Sequence, residues 1–354
     1  LNHQSSPTQV RVAVAAAVVW PQPSLASHSN TDAPVTLTMH EIPVLFPVPS
    51  VASARSGNWS DPATWAPAGV PGAGADVHVL SGHIVTYDIS ATTALRSLSI
   101  FGTLGFSRTV DTKLNASYTL VHPGGYLQIG TPADPIPVGR RAEVVIADQA
   151  IDLTRDPLQW GTGINVLGRI DVAGAPLSKT FVRLVREPRA GDTTLTLAET
   201  VTGWQPGDRL IVPDTRRVDY DIRTGQWGNP PFSYFIDDVK IASVSGTTVT
   251  LQSGLKYDHF ASYLGKRGAG GVPEFYPHVV NLTRNVVIRS ANPAGTRGQV
   301  SFLDRARVDV RYAEFIDLGR TRGEVPLGDP DPTRPGYANQ VGRYPVHLHH
   351  LKGP

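Results

Sequence analysis

Val77-His78-Val79-Leu80-Ser81-Gly82-His83-Ile84-Val85-Thr86-Tyr87 decides the fold: two short runs of β-forming residues meet at Gly82. Comparable runs recur at 97–100, 118–121 and 126–129, with Gly102, Gly105, Gly124, Gly125 and Gly130 between them. Glycine takes positive φ without steric cost, so glycine at each corner suits a tightly turning coil of strands. Short strands at near-regular spacing point to a β-solenoid whose rungs bury one continuous core.

The rest of the 354-residue chain agrees. Gly 34 and Pro 30 are both high, and Val, Ile, Thr and Leu runs sit between Gly, Pro, Asp and Asn. Apolar residues almost never recur at i, i+3, i+4 and i+7, so the fold class is all-β. With Cys 0, disulfides, thiolate metal sites and thiol nucleophiles are excluded. The net charge is +2, and only six of the 32 cationic residues are Lys. A GC-rich coding sequence accounts for that total. A local cluster of Arg305, Arg307, Arg311, Arg320, Arg322, Arg334 and Arg343 suits carboxylate recognition, because a guanidinium binds carboxylates bidentately. Acidic residues are interleaved there, so it is no nucleic-acid stripe. The chain has no Ser-His-Asp elbow, P-loop or dinucleotide fingerprint.

Five segments are expected. Residues 1–26 read as a leader, with Arg11, an apolar run at 12–20 and Ser24-Leu25-Ala26 before a cleavage site. That run is too short to span a membrane, so export to the cell exterior or surface is expected, with no transmembrane segment. Residues 27–50 read as a linker or wrapping arm, and 51–178 as a first β domain. Residues 179–278 read as an inserted β segment with long loops, and 279–354 as rungs of a right-handed parallel β-helix. In Arg307-Val308-Asp309-Val310-Arg311-Tyr312, the apolar residues point inward and the charged ones outward. Outward side chains of successive rungs then form ladders at a spacing of about 4.8 Å.

The candidate chemistry lies in Gly342-Arg343-Tyr344-Pro345-Val346-His347-Leu348-His349-His350. On a strand, His347 and His349 share one face, with Cα atoms roughly 6.5–7 Å apart. They can transfer a proton or, with carboxylates, hold a divalent metal such as Zn, Mn, Ni or Ca. Asp309, Asp317, Asp304 and Glu314 are the nearest carboxylates in the chain, and Asp309 is the preferred catalytic partner. The alternative is a pair of loop-covered histidines bonded to backbone carbonyls. Tyr344 is a candidate phenolic acid, and Arg343, Arg311, Arg307 and Trp227 are candidate substrate contacts. Equally open is a structural Arg343 paired with Asp317, with Tyr344 packed beside Pro345. Asp219, Asp221, Asp237 and Asp238 surround the long loop of the insert, whereas Trp204 reads as core.

Trp59-Ser60-Asp61 with Thr64-Trp65, Pro71-Gly72, Leu98-Ser99-Ile100 with Gly102-Thr103-Leu104, and Gly124-Gly125 with Leu127 resemble the eight-glycine (G-eight) domain. That domain occurs in the cell-migration-inducing hyaluronan-binding family and in fibrocystin-like proteins. The resemblance continues through Asn285-Val286-Val287-Ile288 to the Gly-Arg-Tyr-Pro-Val-His-Leu-His run. It implies an acidic polysaccharide of hyaluronan type as partner, bound and depolymerised by a hydrolase or lyase. A non-catalytic adhesion module is the alternative. The 320–341 loop is longer than the family pattern.

Overall fold

The computed structural model describes residues 11–14, 35–36, 41–42, 44–216, 220–221, 226–227, 234–264, 272–323, 339–349 and 351. Two compact units emerge: Leu1–Ala175 with Arg284–Pro354, and Pro176–Thr283.

The first unit is a parallel β-solenoid, as its alternating pattern dictates. One face stacks Asp76–Val79, Leu95–Ile100, the second half of Thr112–Val121, Gly163–Val166, Val300–Leu303 and Val346–His349. A second face stacks Gly57–Asn58, Ile84–Tyr87, Thr103–Phe106, Tyr126–Ile129, Arg169–Ala173 and Arg307–Arg311, all parallel. A third stacks the first half of Thr112–Val121 on Ala142–Ile146, Val286–Ser290 and Ala313–Ile316. The residues matching the eight-glycine pattern and the later rungs therefore belong to one stack. Arg11–Val14 adds an antiparallel strand to Ala313–Ile316. The rest of the leader-like run lies outside the described residues.

Register makes the core. Val79, Ile100, Val121, Val166 and Phe302 occupy one inward column, each no more than 2% exposed. Leu348 continues that column opposite Phe302 but is 64% exposed. On the second face Val85, Leu104, Leu127 and Ile170 stack the same way, all fully buried.

The corner glycines act in two ways. Gly82 and Gly124 take positive φ, 80° and 86°. Gly125 instead lies under a neighbouring rung: a Cβ there would sit 2.0 Å from the Ile100 carbonyl oxygen. Gly168 repeats this one rung on, against the carbonyls of Gly125 and His122. Close approach, not only φ, selects glycine at these turns.

The second unit is a six-stranded antiparallel barrel. Its order is Phe181–Arg183, His278–Asn281, Arg209–Val212, Asp237–Ser245, Thr248–Leu251 and Thr194–Thr196. A Leu184–Leu197 bridge closes the ring, which removes the sheet edges. Trp204 is core, with its indole N–H donating to the Lys179 carbonyl at 2.8 Å.

Candidate functional site

Val346–His349 pairs with Val300–Leu303, placing His347 opposite Ser301 and His349 opposite Leu303. Val346 packs against the core, and the two imidazoles lie together, ring centroids 4.8 Å apart. His347 Nδ1 lies 2.6 Å from the Gly342 carbonyl oxygen. A carbonyl only accepts, so Nδ1 carries a proton and a neutral ring keeps its lone pair on Nε2. Gly342 has φ 80°, and a Cβ there would meet the His347 ring at 2.9 Å. Tyr344, 38% exposed, meets His347 edge-on at 5.1 Å. His349 faces the edge of Trp160 at 6.2 Å. His350 lies outside the described residues. Among the described residues, no group of three or more His, Asp or Glu is placed to hold one metal ion.

The outer side of this face is covered. Ile42, Leu45, Trp160 and Leu167 pack over Tyr118, Leu120 and Leu303. Arg343 fastens that cover instead of facing solvent, correcting its expected role as a uronate clamp. It is 3% exposed, with Nε 3.1 Å from the Leu158 carbonyl and 3.0 Å from that of Gln159. Its guanidinium lies 3.9 Å over the Trp160 ring. Arg320 bonds the Thr162 and Gly161 carbonyls, both at 3.1 Å. Burial first, then the neighbouring Arg343, pulls the Arg320 pKa down to about 9, which leaves it cationic at neutral pH. Asp156 accepts from the Trp160 and Gly161 amides at 2.8 and 2.6 Å. Burial raises its pKa, against the pull of those amides and of both arginines.

Asp309 does not join the histidines. It lies on the second face, beside Arg307 and Arg311. That face carries an outward ladder. Tyr126, Arg169 and Arg307 stack in one column, and Gln128, Asp171 and Asp309 in the next. Arg311 stands in the column after, opposite Ala173. Arg169 grips Asp171 through Nη2 and Nε at 2.6 and 3.2 Å, and Arg311 grips Asp309 at 2.8 and 3.0 Å. Tyr126 donates to Asp171 at 2.6 Å, and the Arg169 guanidinium sits 4.5 Å over the Tyr126 ring. Burial, with the Asp171 hydrogen bond and charge behind it, raises the phenol pKa, so Tyr126 holds its proton. The signal that could have found this rung was an internal repeat: Arg169-Ile170-Asp171-Val172 matches Arg307-Val308-Asp309-Val310.

The remaining candidates disperse. Trp227 belongs to the two-residue strand Gln226–Trp227, and its side chain lies outside the described residues, as does Asp219. Asp237, 1% exposed, accepts from His259 at 2.9 Å, and Asp238 pairs with Arg209. His78 and His122 are buried around Phe101, which stacks on His122 at 3.8 Å.

Residues 64–185 match the G8 domain family, so a G8 domain is present. Over 320 residues the chain is 27% identical to Fibrocystin-L of Homo sapiens, covering 83% of this chain and 7% of that protein. It is 28% identical to Fibrocystin of Mus musculus over 232 residues, covering 65% of this chain and 5% of that one. The chain thus spans less than a tenth of the length of these relatives. Among solved structures it is similar to a Pseudomonas phage tailspike: TM-score 0.22, 16% identity, 65% of this chain and 28% of that one. A tailspike of an Acinetobacter baumannii bacteriophage, solved in complex with a capsular saccharide, has TM-score 0.22 and 13% identity. It matches 65% of this chain and 30% of its own. Among the described residues, no helix is long and apolar enough to cross a membrane.

Proposed function

We propose that the chain binds an extended acidic polysaccharide of hyaluronan type at the cell exterior, along the outer face of the second sheet. The observation that carries this is the ladder of Tyr126, Arg169, Asp171, Arg307, Asp309 and Arg311 on successive rungs. Three arginines against two aspartates leave the ladder one charge positive. A repeating polyanion meets a repeating set of forks and hydroxyls. Each uronate competes with Asp171 or Asp309 for its arginine, so single rungs bind weakly and several act together. The hyaluronan class comes from the G8 resemblance. The test is binding of hyaluronan, chondroitin and pectin to the purified chain. Arg307→Ala with Arg311→Ala lowers affinity for the bound glycan about tenfold or more and flattens its salt dependence. No binding to any of the three, or binding untouched by the double variant, rejects the proposal.

A second reading adds cleavage at the histidine pair. The hydrogen bond from His347 Nδ1 to the Gly342 carbonyl supports it, because that contact fixes the ring beside His349. The two imidazoles would hold Zn more readily than Mn or Ca, which prefer oxygen ligands. Shortening of hyaluronan chains that stops on His347→Ala or His349→Ala, with binding retained, supports this reading. Chains left intact by the wild-type protein, with and without added Zn, reject it.

A further inference from the structure

The barrel of the second unit carries an outward row that its own core does not use. Phe181 pairs with Val280, and Val280 with Ile211, so the three side chains line up across neighbouring strands. Strand parity turns them away from Val182, Val279 and Leu210, which are buried. Phe181 is 62% exposed, and Val280 and Ile211 are partly exposed. The row runs about 10 Å, two strand spacings. Beside it on the same strands Arg183 pairs with His278, and both are exposed. The Phe181 and His278 rings meet at 6.1 Å, tilted by 54°.

Charge sets this patch apart from ordinary barrel surface. The nearby acids are already engaged. Asp238, opposite Ile211, pairs with Arg209 at 2.7 Å. Glu199, whose neighbour Ala198 bonds the Arg183 carbonyl, pairs with Lys179 at 3.3 Å. Arg183 forms no ion pair among the described residues, which leaves the patch one positive edge. An exposed aromatic ring beside an unpaired guanidinium selects a ligand with one apolar face and one anionic edge. A row of three side chains is far smaller than the roughly 800 Å² per partner that a stable protein contact buries, so a second copy of the chain does not suit it. A sugar acid does. Its C–H face packs on Phe181 and Val280, its carboxylate takes the Arg183 fork bidentately, and a ring hydroxyl bonds His278. We infer that this row is a shallow subsite of the barrel for one or two units of a uronate-bearing glycan. The sugar class rests on the acidic-glycan reading of the solenoid ladder; the subsite stands on its own residues.

The test follows the imidazole resonances of His278 in the full chain. The probes are hyaluronan tetrasaccharide and its carboxyl-reduced, uncharged form. The acidic probe shifts the resonances saturably with an affinity on the order of 1 mM, so the subsite stays mostly empty at about 0.1 mM, and the uncharged form binds about tenfold more weakly. Phe181→Ala and Arg183→Gln each weaken the acidic probe about tenfold here, and at exposed positions they leave Tm near the wild-type value. Arg307→Ala with Arg311→Ala leaves the His278 response intact. A response abolished by that double variant overturns the subsite. Resonances unmoved by about 50 mM of the acidic probe, or an affinity unchanged in both Phe181→Ala and Arg183→Gln, overturn it whatever the ladder does. A His278 response that persists in a protein whose ladder binds no polymer rejects the ladder and upholds the subsite. A dimer seen by light scattering and lost on Phe181→Ala gives the row to a second copy and overturns the inference.

Discussion

Replacing Arg343 by Met separates fastening from substrate binding. Methionine keeps an apolar stem of similar length but loses the guanidinium that bonds the Leu158 and Gln159 carbonyls and covers the Trp160 ring. Leaving two buried carbonyls without their donor costs about 1–3 kcal/mol each, and relieved repulsion with Arg320 offsets a part, for a net loss of about 3–5 kcal/mol. The desolvated cation–π contact, worth about 2 kcal/mol alone, overlaps with that loss and does not add to it. For a unit of this size each kcal/mol moves Tm by roughly 2–4 °C, so the expected fall is about 6–20 °C. Differential scanning calorimetry measures it, and isothermal titration with hyaluronan at 20 °C measures the affinity of the protein still folded. The fall in Tm is expected with affinity unchanged. A Tm at the wild-type value together with a tenfold loss of affinity would refute the fastening role and restore Arg343 to the substrate.

Three further outcomes follow from burial and register. His122 is held neutral, its pKa lowered to about 3 by burial and then by His78. An unfolded His takes its proton near pH 6.5, so the folded state is penalised as pH falls from about 6.5 to 3, by up to roughly 4–5 kcal/mol. Urea titrations of His122→Phe at pH 7 and pH 4 show a smaller drop between the two than the wild-type protein does. Phe302→Ala costs about 3–5 kcal/mol, whereas Leu348→Ala in the same column, 64% exposed, costs about 0.5 kcal/mol or less; equal losses in chemical denaturation would mean that Leu348 is covered. Gly125→Ala drives a methyl against the Ile100 carbonyl and destabilises by more than about 2 kcal/mol, whereas Gly105→Ala, with only the Gln128 side chain at 3.9 Å, costs far less.

The rungs were legible because inward and outward residues alternate with period two, as at 307–312, and because β-type runs change direction at glycines. The role of Gly125 was only half legible. Sequence points to φ, but the contact that excludes a side chain comes from Ile100, one rung away. The pairing of His347 with His349 followed from strand parity alone. The fate of Arg343 did not, because its partners lie 184 and 185 residues earlier in the chain. Strand parity turns Asp309 away from the core, but parity along one strand does not say which face of a solenoid the strand joins. That depends on the count of residues per rung, which the inserted barrel interrupts. The Tyr126, Arg169 and Asp171 rung is legible only as a repeat, its Arg-x-Asp-Val run recurring at 307–310.

Hydrogen exchange read by mass spectrometry, with and without hyaluronan oligosaccharides, tests the ladder most directly. Slowed exchange confined to peptides covering 126–129, 169–173 and 307–311 is the predicted footprint. Protection at 342–349 with those three strands unchanged would contradict it.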